Sequence, residues 1–161
     1  MSILVLGIGN ILLGDEGIGP HVVTRLQNDY LLPESVSVVD GGTSGMDLLD
    51  MVASHDRLLI VDCAELDSAP GTVRELVGTA VPAFFNNRIS PHQIGLSDLL
   101  AGAALIGALP GELALIAVQP QSCELDLELS PTAKKAAEEA MQVLLARLAS
   151  WSVPCAPREA A

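Results

Sequence analysis

Aromatic side chains are scarce in this chain: one Trp, one Tyr and two Phe make up 2% of its 161 residues. Its core must therefore be assembled from Val, Leu, Ile and Ala. Basic residues are also few, eight Lys and Arg against 20 Asp and Glu, giving a net charge of -12 and a pI near 4.3. Nucleic acids and anionic membrane surfaces need a basic footprint that this balance does not supply, so cationic or basic partners are favoured. Cysteine is limited to Cys63, Cys123 and Cys155, an odd number without CxxC or zinc-finger spacing. They read as reduced thiols of a cytoplasmic protein, and none lies in a local sequence resembling a known cysteine nucleophile. No basic segment precedes the first apolar run, which Gly7 to Asn10 interrupt early, so no signal peptide is expected. The stretch Leu99 to Val118 is apolar enough to raise a membrane question, but Pro110, Gly111 and Glu112 divide it into helix, turn and strand. Neither nucleic-acid binding nor membrane insertion is expected.

What the chain does have is a 50% hydrophobic fraction with only 17% charged residues, a composition that folds. The length suits a single domain over 1–161, with 151–161 as a loose tail. Branched-aliphatic runs predict buried strands at Ile3 to Leu6, Val36 to Val39, Leu58 to Val61 and Leu113 to Val118, with Thr72 to Val77 as an extra edge strand. Helical patterns alternate with them. The spacing predicts a first helix over Gly17 to Asn28 with Ile18, Val22 and Leu26 facing inward, and a second opened by a Ser44/Asp47 capping box and running through Val52. A third is expected near Leu96. The last is capped by Ser130, has Pro131 in its first turn, and repeats Ala133, Ala137, Met141, Leu144 and Leu148 on one face. The fold class is α/β: a three-layer architecture with a mostly parallel twisted central sheet sandwiched by helices.

The most informative segment follows the first strand, where Gly7, Gly9, Asn10, Gly14, Asp15, Glu16, Gly17 and Gly19 crowd into a strand-to-helix loop. In an α/β sheet such a junction is where ligands bind. A phosphate loop would present glycine amides and a lysine, whereas this loop offers two carboxylates and suits a cation. The dinucleotide fingerprint is incomplete, with Leu12 at its third glycine position, although Asp40 stands roughly where an NAD enzyme keeps its ribose-binding acid. Strand ends of a parallel sheet share one edge, which brings together Asp15 and Glu16, then Asp40, Gly41, Gly42 and Thr43, then Asp62. His92, on the Ser90 to Gly95 loop, adds a nitrogen donor. Glu16, Asp62 and His92 would form a three-ligand metal site with open positions, compatible with nickel, manganese, cadmium or zinc. Each also has an ordinary structural explanation: helix-dipole complement, turn cap and satisfied loop histidine respectively. His21 and His55 are read as structural, His55 because it lies near a helix C-terminus. There is no G-x-S-x-G, and Gly42 to Gly45 make no nucleophile elbow, so a serine or cysteine hydrolase is not expected.

These residues carry a specific resemblance. The run Gly7 to Gly19 resembles the G-x-G-N-x-L-x-x-D-E-x-x-G opening of the nickel-iron hydrogenase maturation endopeptidases. Asp40-Gly41-Gly42-Thr43 resembles their D-G-G-T motif, Leu59 to Asp62 their third-strand aspartate, and Ile89 to Gln93 their histidine loop. The similarity is collinear from Ser2 to about Ala149. It implies that Glu16, Asp62 and His92 bind metal. It also implies removal of a short C-terminal peptide from the hydrogenase large-subunit precursor after nickel insertion.

On that resemblance the cofactor is nickel supplied by the substrate precursor, with other divalent cations able to occupy the site in vitro, and the protein holds no permanent metal. The metal either polarises the scissile carbonyl or activates water, and Asp15 or Asp40 orients or deprotonates that water. Thr43 and its neighbouring glycines shape a groove for extended peptide. Segments 64–88 and 119–130 are where recognition of one particular precursor is expected, by a monomer. The alternative is a non-catalytic nickel chaperone or assembly adaptor, which would leave the precursor's mass unchanged.

Overall fold

The computed structural model describes residues 1–86 and 91–159, and for 91–94 the backbone alone. Five strands form one sheet: β1 (Ile3–Ile8), β2 (Val36–Gly42), β3 (Arg57–Cys63), β4 (Val73–Val77) and β5 (Glu112–Val118). Their order is β2-β1-β3-β5-β4. The β1/β2, β1/β3 and β3/β5 pairs are parallel, and β4 runs antiparallel along the edge of β5. The central strands β1, β3 and β5 are buried over nearly their whole length because helices cover both faces, whereas β2 and β4 at the edges are only partly covered.

Alternation along the strands divides the core in two. Ile3, Val5, Leu59, Val61, Ala114 and Ile116 face α1 (Ile18–Asp29) and α5 (Pro131–Ser150). Leu4, Leu6, Leu58, Ile60 and Leu115 face α2 (Leu49–Ala53), α3 (Ala80–Asn86) and α4 (Pro91–Leu105). Ser130 caps α5 as the sequence predicts, its Oγ accepting from the Ala133 amide at 3.1 Å with Pro131 next in line. All five inward positions of α5 are buried.

Four expectations change. Ser44 makes no side-chain cap, and the segment begins with a 3-10 turn, Gly45–Leu48, before the short α2. The helix expected near Leu96 begins at Pro91, so His92 and Gly95 belong to its first turns instead of to a loop. The α3 helix was not expected at all. The segment after α5 is not loose: Leu31 N–H donates to the Ala156 carbonyl at 2.9 Å, Arg158 N–H donates to that of Asp29 at 2.8 Å, and Trp151 is buried. These bonds satisfy backbone groups at the C-terminus of α1. Among the described residues no helix is long and apolar enough to cross a membrane.

Candidate active site

The chain reverses direction across the sheet between β1 and β3: β1 leads through α1 to β2 on one side, and the remaining strands lie on the other. Ligand crevices form at the carboxyl ends of strands flanking such a point. A 3-10 turn, Gly14–Gly17, carries Asp15 and Glu16 from β1 into α1 and packs directly on β3. Small residues allow this approach. A Cβ at Gly19 would stand 2.3 Å from the Ile8 carbonyl oxygen and 2.4 Å from that of Val61, so α1 begins against both strand ends.

Asp62 is the penultimate residue of β3 and is fully buried. It shares its face of the strand with Leu58 and Ile60, which pack toward α4. Cys63 follows on the opposite face, buried against α1 and α5. Its thiol is pushed far up from the usual range, first by its hydrogen bond with the Cys123 thiol, then by burial, then by the negative charges of Asp62 and Glu16. Glu16 rides on the turn that packs against β3, and Asp62 stands near the end of that strand, so the two acids share one strand-end edge. Two acids at one strand-end edge, one of them fully buried, are oxygen donors of the kind a divalent cation takes.

The third residue expected there, His92, is the second residue of α4, and its side chain lies outside the described residues. Among the described residues no three or more His, Cys, Asp or Glu are grouped to hold a metal. The start of α4 is nevertheless at the same edge. It meets the turn after β2, where a Cβ at Gly45 would lie 3.6 Å from the Gly95 Cα. A cavity of about 140 Å³ between them is lined by Gly42, Thr43, Gly45, Gly95, Leu96 and Leu99 with Ile8.

The two aspartates considered for water activation differ sharply. Asp15 is buried, and its carboxylate accepts from the backbone N–H of Gln121 (2.9 Å), Ser122 (3.1 Å) and Ser130 (2.7 Å) and from the Ser130 hydroxyl (2.8 Å). Burial alone would raise its pKa. The donors of Ser130, Gln121 and Ser122 outweigh that and hold it below the ordinary carboxylate range. Asp15 therefore fastens the 119–130 loop over the first loop, assisted by the Gly14 N–H to Asp126 carbonyl bond at 2.9 Å. Asp40 is exposed, accepts from Gly42 N–H at 2.9 Å, and lines a groove of about 590 Å³. Gly14, Gly17 and Leu127 contribute to the same groove. Sequence marks the 119–130 loop only as a recognition segment, because no local pattern announces that residues 121, 122 and 130 donate to Asp15. His55, read as structural, places Nδ1 2.6 Å from the Met51 carbonyl at the end of α2, where its N–H donates.

Residues 20–147 match the model of the family described as hydrogenase maturation protease. The chain belongs to the hydrogenase maturation protease family. It is 46% identical over 161 residues to the hydrogenase 2 maturation protease of Escherichia coli strain K12, covering 99% of this chain and 98% of that one. It is 41% identical to the hydrogenase expression/formation protein HupM of Azotobacter chroococcum, covering 98% of this chain and 77% of the relative. The fold superposes on the hydrogenase maturating endopeptidase HybD of E. coli with a TM-score of 0.94 and 45% identity, over 98% of each chain. It superposes on a hydrogenase 2 maturation peptidase from a Thaumarchaeota archaeon with a TM-score of 0.72 and 34% identity, over 92% of this chain and 98% of that one. By family membership this hydrogenase maturation protease is a peptide-bond hydrolase with the α/β fold of its relatives.

Proposed function

We propose that this endopeptidase removes the C-terminal peptide of the nickel-loaded hydrogenase large-subunit precursor in the cytoplasm, using the substrate's own nickel to register the scissile bond. The observation that carries this reading is the packing of the Gly14–Gly17 turn, which bears Glu16, against β3, which bears Asp62 near its end, at the sheet edge where α4, with His92 in its first turn, also begins. Carboxylates and an imidazole would complete the coordination of a nickel ion that arrives on the precursor. Docking then depends on metal loading, so differential binding couples cleavage to maturation. The reduced cysteines support a cytoplasmic setting.

Hydrolysis requires a water to attack the scissile carbonyl and a proton to reach the departing amine. The metal would supply electrophilic polarisation of that carbonyl or of the water. Asp40 is the carboxylate assigned to orient and deprotonate the water, because it is exposed at the carboxyl end of β2 and is engaged only by the Gly42 N–H of its own turn. Asp15 is a positioning residue, since its oxygens are engaged by donors of the 119–130 loop.

The test is intact-mass analysis of the precursor, nickel-loaded and nickel-free, with the unaltered protein and with Glu16→Gln, Asp62→Asn and His92→Ala. Loss of one C-terminal peptide from the loaded precursor alone, abolished by each variant, is expected. An Asp40→Asn enzyme should still bind the loaded precursor but turn over about 10²-fold more slowly. Equal cleavage of metal-free precursor would overturn nickel registration. An unchanged precursor mass with binding retained would favour a non-catalytic adaptor.

A further inference from the structure

The buried polar side chains among the described residues are Asp15, Asp62 and Gln119, and the reaction proposed above gives Gln119 no part. Gln119 directly follows β5. Asp62 lies opposite Ala117 in the β3/β5 register, so Gln119 comes two residues further along the same face, at the same strand-end edge. Its N–H donates to the Thr72 carbonyl and its carbonyl accepts from Gly71 N–H, both at 2.9 Å. Its side-chain Oε1 accepts from Leu66 N–H at 2.6 Å, and Nε2 donates to the Glu65 carboxylate at 3.0 Å. All four partners belong to the turn between β3 and β4, which is thus built around one buried amide.

The same turn is braced a second time. The other Glu65 oxygen accepts from Asp67 N–H at 3.0 Å, and Asp67 has a φ of +52°, a left-handed conformation uncommon outside glycine. Asp62 itself is held by the ladder, which continues through the Ala64 N–H to Val118 carbonyl bond at 3.0 Å. What the carboxamide sets is the chain just beyond. Ala64 and Leu66 are buried in the half of the core that also holds Leu96 and Leu99 of α4, the helix that carries His92. We propose that Gln119 is a positioning residue for precursor cleavage, its carboxamide holding Leu66 and Glu65 so that α4 begins at the spacing from Asp62 that nickel registration needs. This inference rests on the proposed function.

The chemistry demands an amide at 119. Only a carboxamide accepts from a backbone N–H with one end while donating to a carboxylate with the other, and the two partners fix which end is oxygen. A glutamate there would still accept from Leu66 N–H but would set two like charges against each other at Glu65. Exchanging both residues restores the pair with donor and acceptor reversed.

The experiment compares Gln119→Glu, Glu65→Ala and the double variant Gln119→Glu/Glu65→Gln in the full-length protein, well below the Tm of each. Cleavage of nickel-loaded precursor is followed by mass, and binding of loaded and metal-free precursor is measured with each change placed in the slow Asp40→Asn background. Gln119→Glu should cleave about tenfold to a hundredfold more slowly and lose its preference for the loaded form by a similar factor, with affinity for metal-free precursor unchanged. The double variant should recover both. Glu65→Ala alters an exposed side chain and leaves the Leu66 bond in place, so it should show a smaller loss of the same kind and decides the matter if Gln119→Glu does not fold. Unchanged cleavage and preference in the folded variants would overturn the proposal. Equal weakening toward loaded and metal-free precursor would reduce Gln119 to a support of the fold and overturn it too. A double variant as impaired as Gln119→Glu would overturn the role of the carboxamide pair. Absence of cleavage by the unaltered protein would count against the proposed function, while the preference for loaded precursor still judges Gln119.

Discussion

A carboxylate that accepts four hydrogen bonds is held in its charged form, and Asp15 stores stability in that charge. Its pKa is depressed in the folded protein, so the contribution is complete above the unfolded carboxylate value of about 3.9 and disappears as pH falls through the folded one. Replacing Asp15 with Asn should cost about 2–3 kcal/mol at neutral pH, with a smaller further loss on acidification, as read by denaturant titration over a pH series. An unchanged midpoint would deny it the fastening role. Asp40→Asn should leave the same midpoint essentially unaltered, because Asp40 is exposed and bonded only within its own turn. Sequence placed Asp40 and Asp62 at strand ends because each directly follows a branched-aliphatic run, and Glu16 there because it lies in the glycine-rich loop after the first strand. It could not separate Asp15 from Asp40, since the donors that distinguish them come from residues 121, 122 and 130.

Among elements, α1 is the one on which the site depends most. Its start lies against two strand carbonyls, so Gly19→Ala forces either the helix or β3 outward and should destabilise the protein by about 3 kcal/mol or more, with weakened cleavage of precursor. Normal stability in that variant would mean the helix can shift freely. The strands, α1 and α5 were legible because their patterns extend over several turns or over fully buried runs. Shorter elements were not. The α3 helix buries only Val81 and Phe85 on its inner face and carries Pro82 in its first turn, which reads as a breaker until position is known. Pro91 and Gly95 obscured the start of α4 in the same way. The final segment lacked any periodicity, and its order comes from backbone groups of Asp29 and Leu31 that no local pattern announces. Truncation after Ser150 should accordingly lower Tm, a loss that calorimetry would detect and that a loose tail would not produce.

For the molecule as a whole, a net charge of -12 on a chain this small means that like charges oppose the folded state. Ion pairs such as Arg147 with Glu75 at 2.8 Å and Arg57 with Glu112 at 3.0 Å relieve the repulsion locally, but eight cations cannot balance 20 acids. Raising ionic strength shortens the Debye length to about 8 Å at physiological salt, and Tm should therefore increase from low salt upward. A decrease would show that the ion pairs dominate. The fastening of Asp15 to Ser130 also has a consequence in time. During synthesis the amino-terminal acids emerge long before the amides that will hold Asp15, so the crevice can take its final shape only once residue 130 has left the ribosome and folded back. A chain interrupted before that point would carry Glu16 and Asp62 yet lack the clasp that shapes their surroundings, leaving competence for precursor processing to arrive late, with the last segment of the protein.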